Sequence, residues 1–323
     1  KEGRADLVAF GRQSLADPAM PKKAQEERLE DMTPCIACLQ GCVANMYAGN
    51  PVCCLTNPFL GHEAEPLEKA EEPKKVMVIG GGVAGLSAAF IAKERGHEVT
   101  LYEAGDVLGG NMRLAAYPPG KGDITNMIRN YIHRCQKDGV KIVMNCEVTP
   151  ELIKEEKPDS VIIATGSKTL ILPIEGIDNP AIIHGSDLLD GKRAAGKKVL
   201  VVGGGMVGCE TAAFLGEQEH DVTVIEFRDT VGADVIHEHR VYLMKDFEDY
   251  GIKEITGAKV CKFYEDGVEY ETADGVRHES RGYDSVILSM GFRNYNPLEE
   301  KIKDLVPETH VIGDAIRARR ALE

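Results

Sequence analysis

Four cysteines, Cys35, Cys38, Cys42 and Cys54, are spaced C-x2-C-x3-C-x11-C within the stretch CIACLQGCVANMYAGNPVCCLTNP. Two short gaps let a tight loop aim several thiolates at one centre, and the longer gap brings a fourth from a returning segment, which is how cysteine-ligated iron–sulfur clusters are held. Cys53 competes with Cys54 for the fourth place, and spacing alone does not separate two adjacent thiols. Structural zinc is the alternative, although it usually takes two Cys-x2-Cys knuckles and only one is present. Four unrelated cysteines is the remaining reading.

Groups that pass electrons must be held on rigid elements, and two segments of the chain have the pattern to do so. From Lys74 an apolar run, VMVIG, enters Gly80-x-Gly82-x-x-Gly85, continues into LSAAFIAKERG with helical apolar spacing, and then into VTLYE ending at Glu103. This is a complete strand, turn, helix and strand dinucleotide fingerprint. The first glycine permits the tight turn, the second lets backbone approach a pyrophosphate, and the third allows helix to pack closely on strand. The helix N-terminus faces the anion, and Glu103 accepts from a ribose hydroxyl. Residues 197–226 align without a gap on 74–103 at an offset of 123, with 14 of 30 positions identical. In this second copy Gly203, Gly205 and Gly208 carry the turn and Glu226 takes the acidic position. A carboxylate there repels a 2′-phosphate, so NADH is favoured, and Arg228 keeps NADPH as the alternative donor. Two nucleotide domains are expected.

A chain of 323 residues suggests two or three domains. A net charge of −14 speaks against nucleic acid as a partner, since no long Lys/Arg-rich run offsets it. No apolar run reaches the length of a membrane span, and the opening KEGRADLVAF lacks the charged-then-apolar order of a signal peptide. Nine cysteines, crowded into one stretch, are too sparse for a disulfide scaffold and point to a reducing, cytoplasmic compartment. Cys135, Cys146, Cys209 and Cys261 read as core thiols. The polar stretch GHEAEPLEKAEE, 61–72, reads as a crossing between domains.

Ahead of the cysteines, ADLVAF reads as a strand running into Gly11-Arg12. Between the fingerprints, VIIATG reads as a strand ending at Ala164-Thr165-Gly166, and VILSMGFRNYNP and HVIGDAIRARRALE follow the second copy. In this order, with Leu-Thr-Asn-Pro directly after Cys54, the chain resembles the C-terminal half of the 2,4-dienoyl-CoA reductase and enoate reductase family along essentially its whole length. The resemblance implies an α/β fold with two Rossmann-like domains of the disulfide-reductase type, the FAD domain interrupted by the NAD domain, preceded by the end of a TIM barrel and a Cys-rich cluster loop. The implied division is 1–60 for the barrel end and iron–sulfur segment, 74–180 with 291–323 for FAD, and 181–290 for NAD(P)H.

The same resemblance places a 4Fe-4S cluster on Cys35, Cys38, Cys42 and Cys54, the last because the ligand directly precedes Leu-Thr-Asn-Pro. It assigns Gly80, Gly82, Gly85, Glu103, Thr165, Gly166 and Asp314 to FAD, and the Gly11-Arg12 pair to the phosphate of FMN. Glu210 falls where related flavoproteins place a glutamate near the nicotinamide, a solvated helix residue being the plainer reading. No cysteine pair follows Glu103 in GDVLGGNMRLAAYPPG, so electrons are expected to leave FAD by another route than a disulfide. The implied path is NADH to FAD to 4Fe-4S to FMN to an activated alkene, a small-molecule substrate bound by a barrel that these residues lack, so the chain is expected to be a fragment. A nicotinamide-oxidising subunit like the small subunit of glutamate synthase, and a non-catalytic zinc-stapled nucleotide module, are the alternatives. Nothing in the sequence indicates the oligomeric state.

Overall fold

The computed structural model describes residues 3–65 and 67–322. Short apolar runs become strands buried on both faces, as parallel sheets require. The strands β1 (Lys75–Ile79), β2 (Glu98–Tyr102), β3 (Lys141–Val143) and β4 (Ser160–Ile163) join β10 (Glu308–Val311) in a parallel sheet ordered β10-β4-β1-β2-β3. A second parallel sheet, ordered β5-β9-β6-β7-β8, is built from β5 (Ile183–His184), β6 (Lys198–Val202), β7 (Asp221–Ile225), β8 (Lys253–Ile255) and β9 (Ser285–Leu288). The internal repeat survives in the pairing: Lys75 opposes Glu98 as Lys198 opposes Asp221, so the offset of 123 holds in the register.

Four helices carry or brace the candidate site residues: α1 (Val83–Glu94), α2 (Asp123–Lys137), α3 (Met206–Glu217) and α4 (His237–Asp249). α1 and α3 each begin directly after the middle glycine of a fingerprint, Gly82 or Gly205, which leaves the first turn's N–H groups facing the loop. The first sheet packs Met77, Ile79, Val161 and Ile163 against Leu298, Ile302 and Val306. The second buries Val199, Val201, Val222 and Val224 against Cys209, Ala212 and Phe247 on one face, and Leu200, Val202 and Val286 against Phe263 and Val268 on the other.

The chain divides into two compact units. One takes the residues up to Met112, Asp123–Thr165 and those from Asn296 on; the other takes Arg113–Gly122 and Gly166–Tyr295. The switch points lie at 165/166 and 295/296, where the sequence reading set them at 180/181 and 290/291. The reason is local: Ser167–Thr169 pairs antiparallel with Phe292–Asn294, so both ribbon strands travel with the second unit. No division falls within 61–72 either, and the cysteine segment belongs to the first unit. The expected strand before Gly11 is not formed. Leu7, Val8 and Phe10 are exposed and have no ladder partner among the described residues. Of the four presumed core thiols, Cys135 and Cys209 are fully buried, whereas Cys146 and Cys261 are only partly so. Among the described residues no helix is long and apolar enough to cross a membrane.

Candidate functional site

Cys35, Cys38, Cys42, Cys53 and Cys54 line one cavity, together with Arg12, Leu15, Ile36, Gly41 and Thr56. The loop that presents them is bent against its own preferences: Ala37 and Leu39, on either side of Cys38, both have positive φ, 52° and 57°. Such conformations cost energy in residues other than glycine and persist where the surroundings over-determine them. Gly41 has no room for a side chain, since a Cβ would lie 2.5 Å from the Cys53 carbonyl oxygen. That approach is sealed by the Cys53 N–H donating to the Gly41 carbonyl at 2.8 Å.

Side chains distant in sequence fix this loop. The Gln13 side chain donates to the Thr33 carbonyl at 2.9 Å and accepts from the Cys35 N–H at 2.8 Å. Asp17, 3% exposed, accepts from the Thr33 N–H and is paired with Lys23 at 2.7 Å. Asn57 donates to the Leu15 carbonyl. From α2, Asn130 donates to the carbonyls of Glu30 and Met32, and Tyr131 to that of Leu55. Burial pushes the Tyr131 hydroxyl up to about 12, so it stays protonated and able to donate. Asp31 receives Lys137, His133 and Arg28, and the hydrogen bonds from Lys137 and His133 hold its carboxyl well below the usual carboxylate range.

The two neighbouring thiols differ in surroundings. Asn45 Nδ2 donates to Cys53 Sγ at 3.5 Å, and Cys54 Sγ lies 3.4 Å from the Thr56 hydroxyl, which is buried. Burial pushes the Cys38 thiol up, with further contributions from Cys42, Cys54 and Cys35. Among the described residues no three His, Cys, Asp or Glu side chains converge as a single metal ion requires. Five thiols lining one cavity are the donor type that an iron–sulfur cluster takes.

The fingerprints show why each glycine is needed. Gly80 and Gly203 take φ of 109° and 104°, and a Cβ on either would collide with the carbonyl of Ala164 or Ser289. A Cβ on Gly85 or Gly208 would strike the carbonyl of Gly80 or Gly203. The middle glycines are different: beside Gly82 only the Gly110 Cα comes as close as 4.0 Å, leaving an open cradle at the start of α1. The acidic residues at the ends of β2 and β7 are held in matching ways. Glu103 accepts from the Gly81 and Gly105 N–H groups at 2.6 and 2.7 Å, and Glu226 from those of Gly204 and Arg228 at 2.6 and 2.9 Å. Both units thus fit a dinucleotide at the turn, with Arg228 exposed beside the second.

Within the first unit, Gly313 abuts α1, a Cβ there lying 2.9 Å from that of Ala84, so Asp314 is brought to the first fingerprint. Asp314 also accepts from the Arg319 N–H at 3.2 Å. Thr165 and Gly166 follow β4, and Gly166 has φ of 75° with open space around it. Glu210, on α3, is not a solvated helix residue; it is paired with Lys121 and its side chain is 13% exposed. Gly11 precedes the short helix Arg12–Ala16 with nothing near a Cβ, while Arg12 faces the cysteine cavity. Gln13, Asp17, Asn57, Lys121, Asn130 and Tyr131 carried no sequence signal, because single polar residues acting across long separations form no motif.

Residues 64–309 match the model of the pyridine nucleotide-disulphide oxidoreductase family. An NADH oxidase of Thermoanaerobacter brockii is 36% identical, the match covering all of this chain and 50% of that one. A cinnamate reductase of Clostridium sporogenes is 34% identical over 99% of this chain and 48% of its own. The solved structure of a 2-naphthoyl-CoA reductase in complex with 2-naphthoyl-CoA superposes with a TM-score of 0.95 at 35% identity, covering all of this chain and 49% of the other. The chain spans about half the length of the curated relatives it matches. The expected α/β fold with Rossmann-like domains, and the resemblance to enoate-reductase-like enzymes, are borne out.

Proposed function

The chain belongs to the pyridine nucleotide-disulphide oxidoreductase family, which implies FAD and a nicotinamide nucleotide, and from that premise we propose that it is the NADH-oxidising electron-transfer part of an iron–sulfur flavoenzyme that reduces an activated carbon–carbon double bond. The observation that carries this reading is the lining of one cavity by five cysteines in a chain that also holds two nucleotide cradles. When bound, NADH supplies a hydride, FAD converts it to single electrons, a 4Fe-4S centre carries these one at a time, and FMN delivers them to the alkene.

The residues of this chain bind and orient. Gly80, Gly82 and Gly85 with the N-terminus of α1 take the FAD pyrophosphate, Glu103 a ribose hydroxyl, and Thr165, Gly166 and Asp314 the remainder of the same cofactor. Gly203, Gly205 and Gly208 with α3 take the nicotinamide nucleotide, and Glu226 discriminates against a 2′-phosphate. Glu210, held by Lys121, is the candidate for the place beside the nicotinamide. Cys35, Cys38, Cys42 and Cys54 are the thiolate ligands, and Arg12 with Gly11 is the candidate for the FMN phosphate. Burial pushes the Cys135 and Cys209 thiols up to about 12, which leaves the reactive thiolate scarce at both. Free thiols on all nine cysteines suit a reducing, cytoplasmic setting. The alkene, an enoyl-CoA or enoate, is assigned to a barrel that these residues do not contain.

Reconstituted with FAD and iron, the chain should oxidise NADH with a small artificial one-electron acceptor and leave an activated alkene untouched. Alkene reduction by these residues alone would place the substrate pocket here and overturn the reading.

A further inference from the structure

The second fingerprint differs from the first in one respect that bears on anion binding. The Asp234 carboxylate sits at the N-terminus of α3: its Oδ1 accepts from the Met206 N–H at 2.8 Å. Its Oδ2 lies 3.4 Å from the point a Cβ on Gly205 would occupy. Met206 is the first residue of α3 and Gly205 is the middle glycine, so the carboxylate occupies the donor end that the fingerprint offers to a pyrophosphate.

Asp234 is delivered there by a braced loop. The Gly232 N–H donates to the Gly204 carbonyl at 2.7 Å, Val231 is fully buried, and Arg240 on α4 donates to the Thr230 hydroxyl and the Val231 carbonyl. Gly232 takes φ of 62°, which turns the chain so that Asp234 points back at α3. The offset of 123 extends through this loop. Gly109 donates to Gly81 at 2.8 Å as Gly232 does to Gly204, and Leu108 stands against Gly81 as Val231 stands against Gly204. At the position of Asp234 the first copy carries Asn111, which is neutral. The corresponding position of the first copy is thus neutral where the second carries a carboxylate.

We propose that Asp234 is a resident competitor for the pyrophosphate of the nicotinamide nucleotide, displaced from the Met206 N–H when the nucleotide binds and thereby lowering its affinity. The inference rests on the reading that the second fingerprint takes that nucleotide. Two anions cannot share one helix end without repulsion, and the dipole that favours either favours the other equally. A site so tempered releases its nucleotide readily, which suits a donor that must leave after each hydride transfer.

The test is calorimetric titration of the chain, without turnover, with NADH and with adenosine, which lacks the phosphates. Asp234→Asn keeps an acceptor for the Met206 N–H and removes the charge; Asp234→Ala removes both. Asp234 is exposed, so neither change disturbs the core. NADH should bind Asp234→Asn about two- to fivefold more tightly than the parent. Adenosine affinity should not change. The difference for NADH should shrink as ionic strength rises, because the repulsion is screened. Unchanged or weaker NADH binding by Asp234→Asn, or an equal change for adenosine, would overturn the proposal and leave the nucleotide reading standing. Failure of the parent and both variants to bind NADH at all would overturn the two together.

Discussion

Cys53 and Cys54 are adjacent in sequence, yet their surroundings differ. The backbone of Cys53 is bound to Gly41 and its sulfur takes the Asn45 amide, whereas the sulfur of Cys54 stands beside the buried Thr56. Replacing Cys54 by Ser is therefore expected to remove most of the iron from the reconstituted chain, and replacing Cys53 to leave it nearly unchanged. Iron and sulfide analysis reads the outcome, and the reverse order would make Cys53 the ligand. At this scale much was legible in the sequence. The first and third glycines of both fingerprints announce themselves, since each carries a requirement, a positive φ or a contact with a carbonyl, that no other residue meets. Glu103 and Glu226 were legible by distance from those turns. Gln13 and Asp17 were not, because each bonds backbone groups of a loop about twenty residues on, and nothing in the intervening sequence records it.

α2 is the element that holds the cysteine segment in the first unit. Its residues Asn130, Tyr131, His133 and Lys137 reach Glu30, Asp31, Met32 and Leu55 across 76 to 106 positions of chain. Periodicity predicts that a helix there has an apolar face; it does not say that Asn130, buried at 5% exposure, lies on it for its hydrogen bonds. The same long-range bonds explain why the polar stretch 61–72 is not a division between units, and why the ribbon of 167–169 with 292–294 moved the other switch points. Asp31 gives the clasp a pH dependence. Its carboxyl titrates lower in the folded chain than in the unfolded one, so the stability it contributes is fully present above the ordinary carboxylate value of 3.8 and is lost as pH falls below it. With partners Lys137 and Arg28 nearly half exposed, that contribution is on the order of 1 kcal/mol. Asp31→Asn should lower stability at neutral pH by about that amount and flatten the acid limb of the stability curve below pH of about 4. Denaturant midpoints measured across pH check this, and an acid limb as steep as the parent's would show that Asp31 does not carry it.

At the scale of the chain, the two units share the order of four strands, β4-β1-β2-β3 and β9-β6-β7-β8, around a nucleotide cradle, and the thiol cavity lies in the first. That both units are Rossmann-like was readable from the repeat, because the offset of 123 preserves turn, helix and acidic residue alike. The return of the far end of the chain to the first domain, where β10 lies, was implied by the resemblance, whereas β5, a segment of two residues at the edge of the second sheet, was not readable. The central claim is that electrons entering from NADH reach the cysteine cavity through FAD. It is tested most directly by titrating the chain, reconstituted with FAD and iron, with NADH under anaerobic conditions while following flavin absorbance and the paramagnetic resonance of the cluster together. The account predicts that the flavin bleaches and a reduced-cluster signal grows in the same titration, and that Cys54→Ser keeps the bleaching but loses the signal. A flavin that bleaches fully while an intact cluster stays oxidised, or a flavin that NADH fails to bleach, would contradict it.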